Sequence, residues 1–307
     1  AFDQFFVGMA FHGPVYYVAS EDLFSNGWIS SLLRWLVAPI PIKKQTSDVG
    51  AVKNCIRVAR EGGTIAIAPE GNRTYSGRTG YMNPAIAGLA RMLKLPIALF
   101  RIEGGYGVHP RWSDVVRRGK MHAYVSRVIE PEEFAGLSKA ELESVIERGL
   151  YVDEGVADGT FESDRRAEYL ERAMYVCPWC GLSEFESRGN EIECLRCHRK
   201  ISYGADKRLT GVGFDFPFEF VTGWYDYQED FVRALDLDKY TQEPMYRDRA
   251  NLSEVIVYKR KRLLRKDAAI SLYGDRIVID EEAAPVVRRI FALAISGMSC
   301  RQIAAAL

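Results

Sequence analysis

The 307-residue sequence predicts an α/β protein: a sheet with helices on its faces, then a small cysteine-rich module, a β-rich segment and a short helical tail. Three observations predict this. Helix-like and short apolar strand-like stretches alternate over the first ~130 residues. Four of the six cysteines form two C-x2-C pairs between Cys177 and Cys197. The segment from Glu281 onward carries an almost purely helical pattern.

In the first region, Phe2 to Phe11 is apolar at near-helical spacing, and Val15 to Ala19 is a β-branched, aromatic strand. Trp28 to Val37 predicts an apolar helix, stopped at Pro39 and Pro41 because proline lacks a donor and disfavours helix before it. Ser47 to Arg60 is amphipathic, with Val49, Val52, Ile56 and Ala59 on one side, and ends at Gly62-Gly63. Thr64 to Ala68 reads as a strand, Asn83 to Lys94 as a helix, and Leu95 to Phe100 and Met121 to Ile129 as strands. Ser138 to Tyr151 and Phe161 to Val176 read as charged amphipathic helices. Residues 204–250 are aromatic and irregular. Strand-like stretches at Glu254–Lys259 and Ala268–Ile279 flank a basic run, Lys259 to Arg262 with Arg265 and Lys266.

Composition narrows the class. The chain is 48% hydrophobic and 27% charged, a soluble globular mixture that excludes wholesale disorder, collagen and repeat arrays. Lys plus Arg and Asp plus Glu are both 41, so no whole-chain field draws it to nucleic acid or anionic lipid. No transmembrane stretch or signal peptide is read from the sequence. It opens on Ala1 with apolar residues and no cap, and is expected to be a fragment of something longer.

Ala68-Pro-Glu-Gly-Asn-Arg-Thr74 comes straight off a strand. Proline and glycine around Glu70 force a tight loop whose backbone N–H groups can face an anion, and Arg73 can hold phosphate bidentately. This segment resembles the third block of the glycerolipid acyltransferases, the lysophosphatidic acid acyltransferases, which reads roughly F-P-E-G-T-R-S. Ala38 to Lys44 occupies the place of an earlier block, with Lys44 where the family has Arg, and Leu95-Pro-Ile-Ala-Leu99 resembles the following apolar block. The resemblance covers about residues 1–135. It implies a mixed sheet flanked by helices and acyl transfer from acyl-CoA or acyl carrier protein to a lysophospholipid or glycerol-phosphate hydroxyl, as in a 1-acylglycerol-3-phosphate O-acyltransferase.

The family's catalytic pair is H-x4-D. The resemblance assigns its Asp, which orients the histidine base, to Asp3, and puts the His five residues earlier, upstream of Ala1. The fragment is therefore expected to be inactive. It assigns Glu70, Gly71, Arg73 and Lys44 to the glycerol phosphate. A second H-x4-D, His109 to Asp114, follows the Pro-Glu-Gly block instead of preceding it, and its Pro and Trp suit a structural or rim loop. The Trp28–Val37 helix either joins the core or lines an acyl groove. A membrane-surface role for Ile29, Leu32, Leu33, Trp35 and Leu36 would suit lipid substrates. The implied location is cytoplasmic, peripheral to the inner face of the membrane.

Cys177-x2-Cys180 and Cys194-x2-Cys197, with 13 residues between the pairs, fit a zinc ribbon with four thiolate ligands. Such a site is closed and structural. His198 would be a fifth ligand, and Cys55 and Cys300 are isolated. Such ribbons serve protein and nucleic-acid contacts alike. The basic run reads as a solvated strand and turn, as an anionic-lipid contact, or as a nucleic-acid contact.

Glu281 to Phe291 and Gly297 to Ala304 form helix, glycine turn, helix, with Ser299 and Gln302 as a capping box. The segment is similar to a stretch of the recombinase domain of large serine recombinases, without that family's catalytic domain. A gene junction or assembly fusion near Asp280 is expected, with an appended helix-turn-helix as the other reading. The domain scheme is an acyltransferase domain over 1–150, incomplete in its first block, a connecting helix over 151–176, a zinc ribbon over 177–203, a β-rich region over 204–280 and a recombinase-type tail over 281–307. The competing function is a zinc-ribbon nucleic-acid-binding protein built on the ribbon, the basic run and the tail. Nucleic acid is possible as a partner but not favoured.

Overall fold

The structure, a computed structural model, describes residues 3–20, 24, 28, 30–31, 35, 38–42, 48–256 and 260–279. Lys44, Ile29, Leu32, Leu33, Leu36, Lys259, Cys300, the expected junction at Asp280 and the whole 281–307 tail lie outside the described residues. Two compact units are present, Ala1–Leu23 with Trp28–Arg233, and Phe24–Gly27 with Ala234–Leu307.

The first unit begins with helix α1 (Asp3–Ala10) and strand β1 (Val15–Ser20). Trp28, Ser30, Ser31 and Trp35 are helical. Strand β2 (Ile40–Ile42) follows, then α2 (Val49–Arg60) and β3 (Thr64–Ala66). The strands pair in parallel in the order β2-β1-β3, with Val18 opposite Ile40 and Tyr17 opposite Ala66. Helix α2 starts where the Asp48 side chain accepts the Ala51 N–H at 3.0 Å, a cap worth ~1 kcal/mol. It buries Ala51, Cys55 and Val58, spaced four and three apart, beside Ile40 and Tyr16. Gly63 then runs so close to the strand that a Cβ there would sit 2.9 Å from the Tyr16 ring.

Helix α3 (Ala85–Leu93) and strand β4 (Ile97–Glu103) lead to the short α4 (Gly105–Val108), β5 (Arg118–Gly119) and β6 (His122–Ile129). β4 and β6 are antiparallel, with a register shift at Leu99/Phe100. Helices α5 (Pro131–Ala135) and α6 (Lys139–Leu150) both open with a capping box, Ser138 with Glu141 in the second case. Leu142 and Ile146 of α6 bury against Ala87, Leu99, Ile129 and Phe134 in an apolar cluster of their own.

Residues 161–176, expected as a connecting helix, are not one. They hold β5's partner β7 (Phe161–Glu162), a turn, a 3-10 turn at Leu170–Arg172 and the start of β8 (Val176–Cys177). Tyr169 adopts a left-handed φ of 73°, which a continuous helix cannot contain. β8 pairs with β9 (Gly181–Leu182), and β10 (Phe185–Arg188), β11 (Glu191–Cys194), β12 (Lys200–Tyr203) and β13 (Leu209–Gly211) form an antiparallel sheet in chain order. The irregular region expected from 204 contains a well-formed helix, α7 (Val221–Arg233). Trp112, Leu170, Cys177, Ile192, Cys194, Tyr203 and Trp224 share one buried cluster, so the ribbon and α7 pack on a tryptophan from the first half of the same unit.

In the second unit, β14 (Tyr246–Ile256) and β15 (Arg260–Leu272) form a long antiparallel ribbon, extended by β16 (Ile277–Ile279). Arg260 to Arg262, Arg265 and Lys266 of the basic run lie on β15, where Arg262 pairs with Glu254 at 2.9 Å; nearby, Arg249 pairs with Asp267 at 2.9 Å. Among the described residues no helix is long and apolar enough to cross a membrane.

Candidate functional site

Parallel strands carry their exits to one edge of a sheet. β3 leaves that edge into Ile67–Arg73, and β2 ends at the same edge with Ile42 opposite Ser20. Helix α1 folds back along β1: the Tyr17 hydroxyl donates to the Gln4 carbonyl at 2.5 Å. Gln4 adjoins Asp3, the first residue of α1, so Asp3 stands one residue from this contact with β1.

The loop after β3 is closed by its own hydrogen bonds. Gly71 N–H donates to the Ala68 carbonyl at 3.1 Å, and Asn83 N–H to the Pro69 carbonyl at 3.0 Å. Gly71 has φ 68°, and a Cβ there would meet nothing within 4 Å, so the backbone is open on that side. Glu70 points inward: its Oε2 accepts the Gly80 N–H at 2.8 Å. Burial raises its pKa, and the Gly80 hydrogen bond opposes the shift.

Arg73 is exposed, and its Nη1 donates to the His109 carbonyl at 3.3 Å. Arg111 returns the contact, donating from Nη1 to the Arg73 carbonyl at 2.5 Å with its guanidinium 4.5 Å above the Tyr75 ring. The second H-x4-D segment thus forms a rim beside the Pro-Glu-Gly loop. Asp114 is gripped by Arg172 through hydrogen bonds of 3.0 and 2.9 Å, which hold its pKa down. Burial, then the nearby Arg73 charge, lower the pKa of His109.

Sequence reading missed Arg78 with its partners, and it missed Arg111. Arg78 makes two parallel bonds to Asp226, at 2.9 and 3.0 Å, and a third to Asp153 at 3.2 Å. Nothing local in sequence marks a partner 148 residues away.

The four cysteines do come together. The Sγ atoms of Cys177, Cys180, Cys194 and Cys197 all lie within 4.8 Å of one another, and those of Cys177 and Cys197 are 3.8 Å apart. A tetrahedron of Zn–S bonds of ~2.3 Å puts sulfurs about 3.8 Å apart, so the donor set and spacing fit a dication. In each pair the residue after the second cysteine is left-handed, Gly181 at φ 73° and His198 at φ 58°, which turns the chain around the site. The His198 ring faces Glu193 at 2.9 Å and is engaged away from the thiols. Burial pushes Cys177 up to about 12, a cost that a bound dication offsets. Burial opposes ionisation of Cys197 as well, but hydrogen bonds from Arg199, Cys180 and Cys194 outweigh it and bring it to about 6. Four thiolates would fill such a site and give it a structural role.

Residues 1–102 match the Acyltransferase family model. A 1-acyl-sn-glycerol-3-phosphate acyltransferase from Bacillus subtilis (strain 168) is 28% identical over 127 residues, 41% of this chain and 60% of that protein. The crystal structure of the 1-acyl-sn-glycerophosphate (LPA) acyltransferase PlsC from Thermotoga maritima is similar over 44% of this chain and 55% of that one, at 20% identity and a TM-score of 0.36. The chain thus spans about 60% of the length of the curated relative it matches. The matched family region ends one residue before the end of β4 and contains the loop that carries Glu70, Gly71 and Arg73.

Proposed function

We propose that this chain carries the acceptor-binding part of a glycerolipid acyltransferase, similar in reaction to its B. subtilis relative. The observation that carries the reading is the closed loop at Ala68–Arg73, leaving a parallel strand within a segment that matches the Acyltransferase family. In the reaction, a base takes the proton of a glycerol-type hydroxyl as its oxygen attacks the thioester carbonyl carbon. The C–S bond breaks, and the thiol of coenzyme A or acyl carrier protein leaves with a proton.

Within that reading the residues divide by what they touch. Arg73 offers a guanidinium to the acceptor phosphate, a dianion at neutral pH, and Arg111 adds positive charge beside it. Gly71 keeps the backbone open for close approach. Glu70, with its carboxylate turned to Gly80, shapes the loop instead of meeting the phosphate, which it would repel. Lys44 is a further cation for the acceptor. Asp3 orients a histidine encoded five positions earlier. Phe5 and Met9 of α1, with Trp28 and Trp35, are exposed apolar side chains suited to a lipid surface. The four cysteines bind one structural zinc.

The test is an acyl-transfer assay with acyl-CoA and acyl carrier protein donors on an N-terminally extended protein whose upstream gene sequence has been read. Loss of transfer in Arg73→Ala supports the proposal. Full activity in that variant sinks it. Steep salt-dependent DNA binding that disappears on deletion of 177–266 would favour the nucleic-acid reading instead.

A further inference from the structure

Helix α7 grips two different things with two faces. Thr222 and Asp226 are four apart and share a face, as do Trp224 and Gln228. On the first face, the Thr222 hydroxyl donates to the Ser76 carbonyl at 3.0 Å, and Asp226 takes the paired hydrogen bonds of Arg78. Both partners lie in the segment that continues the Ala68–Arg73 loop. On the second face, the Trp224 indole donates to the Val176 carbonyl at 2.8 Å, and the Gln228 amide oxygen accepts from Val176 N–H at 3.0 Å. Val176 directly precedes the first cysteine. A second line of contact runs from the ribbon core: buried Trp112 donates to the Tyr106 hydroxyl at 3.1 Å, which donates to the Tyr75 carbonyl at 3.0 Å. By contrast, the cluster around Leu142 and Ile146 shares no residue with the ribbon core.

We infer that α7 is a strut through which the metal-bound ribbon positions the acceptor loop, with Thr222 and Asp226 as its positioning residues. The inference builds on the acyltransferase reading for what the loop binds, and on the four thiolates for the metal. The thiolates fix the 177–180 turn; that turn fixes Val176; Val176 fixes the register of α7; and α7 holds Ser76 and Arg78. Loss of the ion is then felt first at the loop, although Gly77 and Thr79 also bond the 152–154 stretch that follows α6, and least in the α6 core at Leu142 and Ile146.

Hydrogen exchange read by mass spectrometry on the full chain tests this, with metal content measured in parallel. Chelation is expected to raise exchange across residues 70–83 about tenfold or more, while Leu142 to Ile146 stay protected. Asp226→Asn is expected to retain its metal and the protection of 176–194, yet raise exchange across 70–83 by a similar factor. Unchanged exchange at 70–83 in either experiment overturns the strut. So does a loss of protection on chelation that extends equally to Leu142 and Ile146. Glycerol 3-phosphate added to the metal-loaded protein is expected to slow exchange at 70–83. Its failure to do so would count against the acceptor reading alone, because the strut is read without ligand.

Discussion

Gln228 and Val176 are joined across 52 residues by a fully buried hydrogen bond of 3.0 Å. The same amide oxygen accepts the Tyr175 N–H at 2.6 Å, and the amide nitrogen donates to the Ala173 carbonyl at 3.0 Å. Truncation to alanine strands these backbone groups away from water. Since each orphaned buried group costs ~1–3 kcal/mol and two of these bonds are fully buried, Gln228→Ala is expected to destabilise the first unit by about 2–6 kcal/mol. A urea titration followed by tryptophan fluorescence checks it. Gln228→Glu is expected to lie in between at low pH, where the neutral carboxyl keeps an acceptor and one O–H donor, and to lose that donor to Ala173 as it ionises.

The four-cysteine site makes a stoichiometric prediction. One zinc per chain is expected on purification, with four thiols becoming reactive on its removal. Cys177→Ser is expected to lose the metal and the protection of β8 to β12. A metal-free preparation with unchanged melting temperature would contradict a structural ion.

Arg73 is expected to act on acceptor binding. A lost charge-assisted contact costs ~1.5–3 kcal/mol, so Arg73→Ala in the extended protein should lower kcat/KM for the acceptor about 10- to 100-fold. Arg73→Lys should recover part of this, because the charge remains but the paired geometry does not.

Two glycines of the loop should differ. Gly71→Ala meets only the left-handed penalty, ~1–2 kcal/mol, because no atom lies within 4 Å of the new Cβ. Gly77→Ala adds a Cβ 2.7 Å from the Gly155 nitrogen and 2.9 Å from the Tyr106 ring, at φ 91°. It is expected to be the more damaging by ~1–3 kcal/mol from overpacking, as differential scanning calorimetry of the pair would show.

Glu70 carries a pH signature. Burial raises its pKa, so the native state holds this proton to a higher pH than the unfolded chain does. Its contribution is therefore fully present below the ordinary carboxylate range and is lost as pH rises through the raised value. Glu70→Gln keeps an oxygen for the Gly80 N–H and cannot ionise. The variant is expected to show a shallower fall in melting temperature than the parent as pH rises from 4 through that range.

The parallel-strand core was legible in sequence because its signals are local. Asp48 caps α2, Gly62-Gly63 ends it, and the apolar runs of β1 and β3 are short and β-branched. The cysteine cluster was legible because its spacing is a local geometric rule. Residues 161–176 misled because their charges imitate a helical face while serving distant partners. Arg166 donates to the Tyr203 carbonyl at 3.2 Å, and Arg172 reaches Asp114. Helix α7 was hidden by the opposite effect: Trp224, Tyr225, Tyr227 and Phe231 place aromatic rings on several faces, which blurs the apolar stripe. In the site, the loop at Ala68–Arg73 announces itself, but the placement of Glu70 depends on Gly80 and that of Arg78 on Asp226, which no spacing rule connects.

The burial of Trp112 among ribbon residues has a consequence for synthesis. On the ribosome, the indole emerges long before Trp224, and at ~5–20 residues per second it waits about 6–22 s for that partner. During that interval the ring can be covered only by near neighbours such as Tyr106 and Arg117, and not by the ribbon residues that bury it in the finished fold. Closing the pocket around this ring is thus a late event of synthesis, complete only after the cysteine pairs and α7 have left the ribosome.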